Sequence, residues 1–230
     1  MNGIINVNKP IGITSFDVVS RVRRLFQVKK VGHAGTLDPD AGGVLPLCIG
    51  KATKVIEYLM DKDKTYRAGL ILGIATDTQD ASGNIILERP VAASDEEIRT
   101  AVNSFLGERD QIPPMYSAVR VKGKRLYELA RKGIEVERSP RPITIYRIDI
   151  ISIRRESDKA HVIFDVECSK GTYVRTLCHD IGELLGCGGH MSSLVRTRSG
   201  PFLLEDSHAL EDLERLKSEG RLETALISMD

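Results

Sequence analysis

An α+β fold is the class this sequence predicts, and three patterns predict it. Residues 143–154 and 160–169 are two strand-like runs joined by the polar Glu156-Ser157-Asp158-Lys159. In the second run Val162, Phe164, Val166 and Cys168 alternate with His161, Ile163, Asp165 and Glu167, the period-two pattern of a half-buried hairpin strand. Ser94 with Glu97 three residues later is a capping box, and Ile98, Ala101, Val102, Phe105 and Leu106 follow at helical spacing until Gly107 stops them. Third, residues 31–47, V-G-H-A-G-T-L-D-P-D-A-G-G-V-L-P-L, hold four glycines and two prolines, too many for a helix or a central strand. This stretch is expected to be one shaped loop.

The other elements follow in order. Residues 3–7 form a short apolar run closed by Asn8-Lys9-Pro10, a first strand and its turn. Thr14-Ser15-x-Asp17 caps a helix on which Phe16, Val19, Val22 and Phe26 are expected to pack while Arg21, Arg23 and Arg24 face elsewhere. Residues 51–60 suit a short helix and residues 64–73 a strand with Tyr66 near its start. A polar loop at 75–84 leads to a short strand at 85–87. Residues 110–142 are irregular and basic, with one short helix at 126–132 ended by Gly133; long irregular insertions in compact domains are commonly functional. Lys170-Gly171-Thr172 turns into a helix over 173–185 with Arg175 in its first turn, where a cation opposes the helix dipole and calls for a local anion. A second loop is expected at 194–201, then an acidic helix over 208–218 capped by Ser207. No repeat and no composition shift marks a domain boundary, so a single domain with an insertion is expected.

Composition excludes several classes. No run approaches the ~20 apolar residues of a membrane span, and the first ten residues lack the regions of a signal peptide, so a cytoplasmic protein without a membrane partner is expected. Cys48, Cys168, Cys178 and Cys187 are expected to be reduced and packed as small hydrophobes; Cys178-His179 and Cys187-x-x-His190 hint at zinc, but no paired C-x-x-C closes a site, and no metal is expected. The net charge of +1 conceals polarity. Residues 117–142 carry eight bases against three acids, and residues 203–230 carry eight acids against three bases. With Tyr116 and Tyr127 interleaved, the basic insertion fits a grip on RNA.

Within the glycine-rich stretch His33, Asp38 and Asp40 are the groups able to do proton or nucleophilic chemistry, and Pro39 biases Asp38 toward an extended backbone. Two familiar loops are excluded. Six residues separate Gly43 from Gly50-Lys51 where a P-loop needs four, and Ala52 stands where its Ser or Thr belongs. A calcium loop would need a ligand at Gly42 and a bidentate Glu at Ile49. What remains is one carboxylate on a stiff platform.

Five segments stand in an order that resembles one family: N-K-P-x-G-x-T-S at 8–15, G-H-A-G-T-L-D-P-D-A-G-G-V-L at 32–45, K-T-Y-R-A at 64–68, G-T-Y-V-R-T-L at 171–177 and L-V-R-T-R-S-G at 194–200. Together they resemble the tRNA pseudouridine synthases that isomerise the T-loop uridine at tRNA position 55. The resemblance implies the α+β pseudouridine-synthase core, with a mixed, largely antiparallel sheet flanked by helices and a thumb-like insertion that fits residues 110–142. By the same resemblance Asp38 is the catalytic aspartate, Tyr66 the active-site tyrosine that stacks on the flipped base, Arg175 the arginine that pairs with the aspartate, Leu194 an apolar residue of the uracil pocket and His33 a contact to the RNA near the flipped nucleotide. Lys9, Lys122, Lys124, Arg125 and Arg196 are the cations expected to meet the RNA. The reaction needs no cofactor, and the expected partner is the T-arm of tRNA, bound by a monomer without a helper protein. Members usually continue into a small PUA-type domain, for which a chain ending at Asp230 leaves no room, so the expectation is a catalytic domain over 1–230. Asp38 could attack C1′, add to C6 or remove the 2′ proton. The competing readings are a tRNA-folding helper in which catalysis is secondary and a small-molecule hydrolase built on one aspartate. A hydrolase would show a second carboxylate on a defined element, and a pure binding module needs no such aspartate.

Overall fold

The computed structural model describes residues 1–228 apart from residues 118 and 122. The chain divides into two units, Met1–Tyr66 with Leu194–Asp230, and Arg67–Ser193. The divisions fall inside strands rather than linkers, which is why no shift of composition marks them.

The first unit opens with β1 (Gly3–Lys9) and then α1 (Ser15–Phe26). Thr14 caps α1 and Asp17 answers it in a capping box, as the sequence predicts. The buried stripe of α1 is Ser15, Val18, Val19, Val22 and Phe26, whereas Phe16, expected to pack, is 66% exposed. A helix face that repeats every three or four residues from Ser15 leaves its neighbour Phe16 about 100° off the stripe. β2 (Val31–His33) and β3 (Ala41–Ile49) follow, then a 3-10 turn at Gly50–Val55 and α2 (Ile56–Met60), and β4 (Lys64–Leu72) begins.

The expectation that all of 31–47 is loop is corrected here: only residues 34–40 are, and every residue of β3 is buried in a sheet. β3 pairs antiparallel with β1 from Gly43 to Ile49. Its glycines and proline are accommodated by the strands beside it. Gly43 has φ +100, and a Cβ there would stand 2.3 Å from the Arg196 carbonyl oxygen, so glycine is what lets the two backbones meet. Pro46 lies where the second edge of β3 changes partner, since residues 41–43 pair with 194–196 and residues 47–49 with β2. A missing N–H costs no ladder bond in that gap, and the Pro46 carbonyl accepts from the Ala34 N–H at 2.9 Å.

The second unit carries β5 (Ile74–Thr76) and β6 (Ile85–Glu88), paired around the polar loop, then α3 (Asp95–Asn103) behind the Ser94 and Glu97 capping box. β7 (Gly107–Gln111) is a strand the sequence does not announce, because Gly-Glu-Arg-Asp-Gln has no apolar alternation. The insertion holds β8 (Arg120–Val121), β9 (Lys124–Arg125) and α4 (Leu126–Ala130). β10 (Arg141–Glu156) and β11 (Lys159–Cys168) are the predicted hairpin, turning at Ser157 with φ +52. Ala160, Val162, Phe164, Val166 and Cys168 form its buried face. Within this unit β4, β11, β10 and β7 are neighbours in that order, and α3 packs on β10 and on α5 (Val174–Leu184).

β12 (Gly189–Ser199) brings the chain back to the first unit and replaces the predicted loop at 194–201. Residues 194–196 pair parallel to β3, which makes the sheet mixed. β13 (Phe202–Leu203) and α6 (Leu210–Ser218) complete the unit. Ser207 does not cap α6: its hydroxyl donates to the Leu204 carbonyl, and Ala209 takes the cap position without a side-chain bond. All four cysteines are buried free thiols, and burial pushes Cys48 up to about 11. No helix among the described residues is long and apolar enough to cross a membrane.

Candidate functional site

The Asp38 loop is held from three directions by polar groups of its own unit. Ser15, 3% exposed, donates its hydroxyl to the Leu37 carbonyl at 3.0 Å and accepts the Leu37 N–H at 2.9 Å. Both backbone polar atoms of Leu37 are therefore fixed by one side chain. On the other flank the Pro39 carbonyl accepts from the Gly12 N–H at 2.9 Å and from the Lys9 ammonium at 3.3 Å. The Asp38 carbonyl accepts from the Ala41 N–H at 3.1 Å, which closes the turn into β3. Asp38 itself is exposed between these anchors.

Lys9 and Arg196 are corrected from RNA contacts to internal clamps, because each is 1% exposed. The Lys9 ammonium also donates to the Pro10 carbonyl at 2.9 Å and the Ile13 carbonyl at 2.6 Å, so its three N–H groups meet three carbonyls. Burial lowers its pKa, and Asp40 and Asp17 oppose that shift. Arg196 donates Nε to the Val44 carbonyl at 2.7 Å, Nη2 to the Gly35 carbonyl at 3.1 Å and Nη1 to the Thr36 carbonyl at 3.5 Å. A planar fork with five donors reaches carbonyls on both sides of a tight loop, which an ammonium could not. Neither role is visible in a sequence, where a buried cation and an exposed one look alike.

Leu194 is buried, and its Cα is in register with Ala41, three residues beyond Asp38. His33 is half-buried on β2, its Nδ1 shielded from water without a hydrogen-bond partner. Burial lowers the His33 pKa, the nearby Arg196 charge lowers it further, and a hydrogen bond with the Gly35 backbone opposes the shift without reversing it, so the ring is neutral near pH 7. Tyr66 is half-exposed on β4, whose preceding residue is anchored to β12: the Thr65 hydroxyl accepts from Arg198 Nε at 3.1 Å, and its carbonyl accepts from the Thr197 hydroxyl at 3.2 Å.

In the second unit Arg175 is 8% exposed at the start of α5, and burial lowers its pKa. The anion that a cation at a helix N-terminus calls for is present: Arg175 Nη1 lies 2.9 Å from Asp80 Oδ2, in a pair whose side chains are 9% and 17% exposed. The other Asp80 oxygen accepts from the Thr78 hydroxyl at 2.7 Å, the Ser82 hydroxyl at 2.6 Å and the Ser82 N–H at 3.1 Å. Beside it the Thr176 hydroxyl donates to Gln79 Oε1 at 2.8 Å. Asp80 and Ser15 are the residues that sequence reasoning passed over. Asp80 stands in T-D-T-Q-D-A-S-G-N, where an aspartate flanked by Thr and Ser two residues either side marks a side-chain-capped turn, and that signal was available.

Lys124 and Arg125 are exposed on β9, beside the φ +83 turn at Gly123, and Arg125 Nη1 donates to the Tyr127 hydroxyl at 3.1 Å. Lys122 lies outside the described residues. The structure thus gathers Asp38, Lys9, Arg196 and Leu194 around one loop, while Arg175 is found with Asp80 and the insertion cations stand on their own hairpin.

A family model described as TruB family pseudouridylate synthase (N terminal domain) matches residues 23–174, and one described as tRNA pseudouridylate synthase B C-terminal domain matches residues 175–230. A protein of Alkaliphilus oremlandii named tRNA pseudouridine synthase B is 58% identical over 230 residues, which is all of this chain and 75% of the relative. One of Bacillus licheniformis with the same name is 52% identical over 232 residues, again covering all of this chain and 75% of the relative. Among solved structures, one titled as a crystal structure of a Cbf5-Nop10-Gar1 complex matches with a TM-score of 0.76 and 34% identity over 99% of this chain, and the chain spans 60% of that structure's length. With family models covering residues 23–230 and relatives above half identity along its whole length, the chain belongs to the TruB family of pseudouridylate synthases.

Proposed function

We propose that the chain isomerises uridine to pseudouridine in the T-loop of tRNA, with Asp38 as the catalytic carboxylate. The observation that carries this is the fixed presentation of Asp38: the backbone on both sides of it is bonded by Ser15, Gly12 and Lys9, and Asp38 is an exposed residue. The names of the relatives, tRNA pseudouridine synthase B, support the substrate. The reaction breaks the C1′–N1 bond, turns the uracil and joins C1′ to C5; the C5 proton leaves to solvent and N1 gains one. The base is leaving group and returning nucleophile at once, so the atoms balance without a co-reactant. A carboxylate borne on a fixed backbone is brought to C1′, C6 or the 2′ carbon from a set position, and most of a positioning advantage is lost when the group must be ordered first.

In this reading Tyr66 supplies a ring against the flipped base and Leu194 an apolar wall. His33, neutral near pH 7, meets the RNA without adding charge. The test is tritium release from a T-arm stem-loop labelled at uridine C5, with no cofactor added. Asp38→Asn keeps the shape and removes the anion, so tritium release should vanish while the Kd for RNA stays within a few-fold. Turnover by that variant above contaminating enzyme would overturn the assignment.

A further inference from the structure

Two apolar side chains beside the Asp38 loop are largely exposed. Ile11 and Phe16 are 61% and 66% exposed, in a stretch whose polar members are spent on the loop and on the cap: Lys9 and Ser15 bind loop carbonyls and Thr14 caps α1. Scattered exposed hydrophobics are ordinary, so position has to carry the argument. The Gly12 N–H bonds the Pro39 carbonyl, which leaves Ile11 and Asp38 each one residue from an end of the same hydrogen bond. Ile11 also reaches over β3, its Cγ1 standing 3.5 Å from where a Cβ on Gly42 would be. Phe16 follows Ser15, whose hydroxyl holds the backbone immediately before Asp38. Both side chains ride on the frame that fixes the carboxylate.

Their surroundings are cationic. Between residues 11 and 30 the single acid is Asp17, already engaged by Thr14 at 2.6 and 2.8 Å, against Arg21, Arg23, Arg24, Lys29 and Lys30. Arg21, Arg24, Lys29 and Lys30 are exposed. An apolar surface rimmed by cations suits a partner that offers flat uncharged faces together with phosphates, which is single-stranded RNA. A second protein surface would cover the apolar area but leave this rim of like charge uncompensated.

We propose that Ile11 and Phe16 form a contact surface for an unpaired base next to the target uridine, with Arg21 and Arg24 meeting the adjoining phosphates. The surface rests on the function proposed above and adds to it a second grip on the RNA loop. Stacking on an exposed ring tolerates any base, so Phe16 holds the loop open beside the carboxylate without selecting sequence.

The test uses a T-arm stem-loop carrying 2-aminopurine at the loop position next to the target, alongside the C5-tritiated substrate. Phe16→Ala should raise Kd about tenfold and relieve the quenching of 2-aminopurine that the wild-type protein produces. Phe16→Tyr should restore both. The unfolding temperature of Phe16→Ala and the salt dependence of its binding should match wild type, since neither packing nor a phosphate interaction is removed. Ile11→Ala should weaken binding less, and Arg21→Ala with Arg24→Ala should reduce the slope of log Kd against log salt by about 0.7 for each phosphate that is no longer neutralised. If wild type binds the T-arm and releases tritium while Phe16→Ala and Ile11→Ala match it in Kd and in quenching, the surface is wrong and the proposed function stands. If these variants instead convert a larger species to a smaller one in light scattering without a change in Kd, the surface is a protein interface and the inference is overturned. If wild type releases no tritium, the proposed function falls first and the surface with it.

Discussion

Replacing Ser15 with alanine isolates the contribution of one hydroxyl to the platform under Asp38. The Ser15 hydroxyl is the partner of both the Leu37 N–H and the Leu37 carbonyl, at 2.9 and 3.0 Å, and at 3% exposure no water can take its place without displacing α1. An unsatisfied buried donor or acceptor costs about 1–3 kcal/mol. Two of them, partly relieved by relaxation of the loop, should cost about 2–4 kcal/mol. If the protein absorbs this by unfolding more easily, the midpoint should fall by roughly 2–4 °C per kcal/mol for a chain of this size. If the loop absorbs it by leaving its position, the cost appears in the single-turnover rate, at about tenfold per 1.4 kcal/mol. The two readouts together should account for the loss, with RNA affinity nearly unchanged because Ser15 is buried. Thermal and urea unfolding and single-turnover tritium release on Ser15→Ala and Ser15→Thr measure it. A Ser15→Ala protein with wild-type stability and a wild-type rate would refute the idea that this hydroxyl sets the loop.

Three further outcomes are expected. Asp80→Asn should destabilise by about 3–5 kcal/mol, since it removes the anion of a buried ion pair, and the double variant with Arg175→Met should recover part of that loss; additive losses in urea unfolding would show that the pair is not coupled. His33 is held neutral, with a folded pKa below the 6.5 of the free ring. The unfolded chain therefore takes up the proton first as pH falls, stability is full above pH 6.5 and declines below it, and His33→Gln should flatten that decline; an unchanged pH profile of the unfolding midpoint refutes it. Lys124→Ala with Arg125→Ala should weaken T-arm binding at low salt and lower the salt slope by up to about 1.5, and an unaltered slope would show that these exposed cations are only a solvated face.

What the sequence discloses follows from which forces leave a local trace. The hairpin β10–β11 and the two capping boxes were legible because alternation and N-cap chemistry are set within a few residues. β3 and β12 were not, because glycine and proline were tolerated there for non-local reasons: Gly43 by the backbone of Arg196, Pro46 by a change of partner strand. Phe16 was misplaced by one helical position, and the burial of Ser15 and Val18 shows which face α1 turns inward. For the site, the stiffness of the Asp38 loop was readable, but its cause was not. Lys9 and Arg196 look like surface cations on paper, and only burial distinguishes a clamp from a contact.

The Arg196 clamp has a consequence for the order in which the protein acquires its shape. Nε of Arg196 reaches the Val44 carbonyl across 152 residues of chain, and the β12 register that positions it pairs with residues 41–43. Bringing such distant ends together costs about 4 kcal/mol of chain entropy in the simplest estimate, (3/2)RT ln n. β1, β2 and β3, by contrast, pair over fewer than fifty residues of sequence and can form early. On a ribosome the early strands would emerge with the carbonyls of Gly35, Thr36 and Val44 open to water, and the loop would stay loose until residue 196 arrives. Mutations at Arg196 should accordingly accelerate unfolding more than they slow refolding.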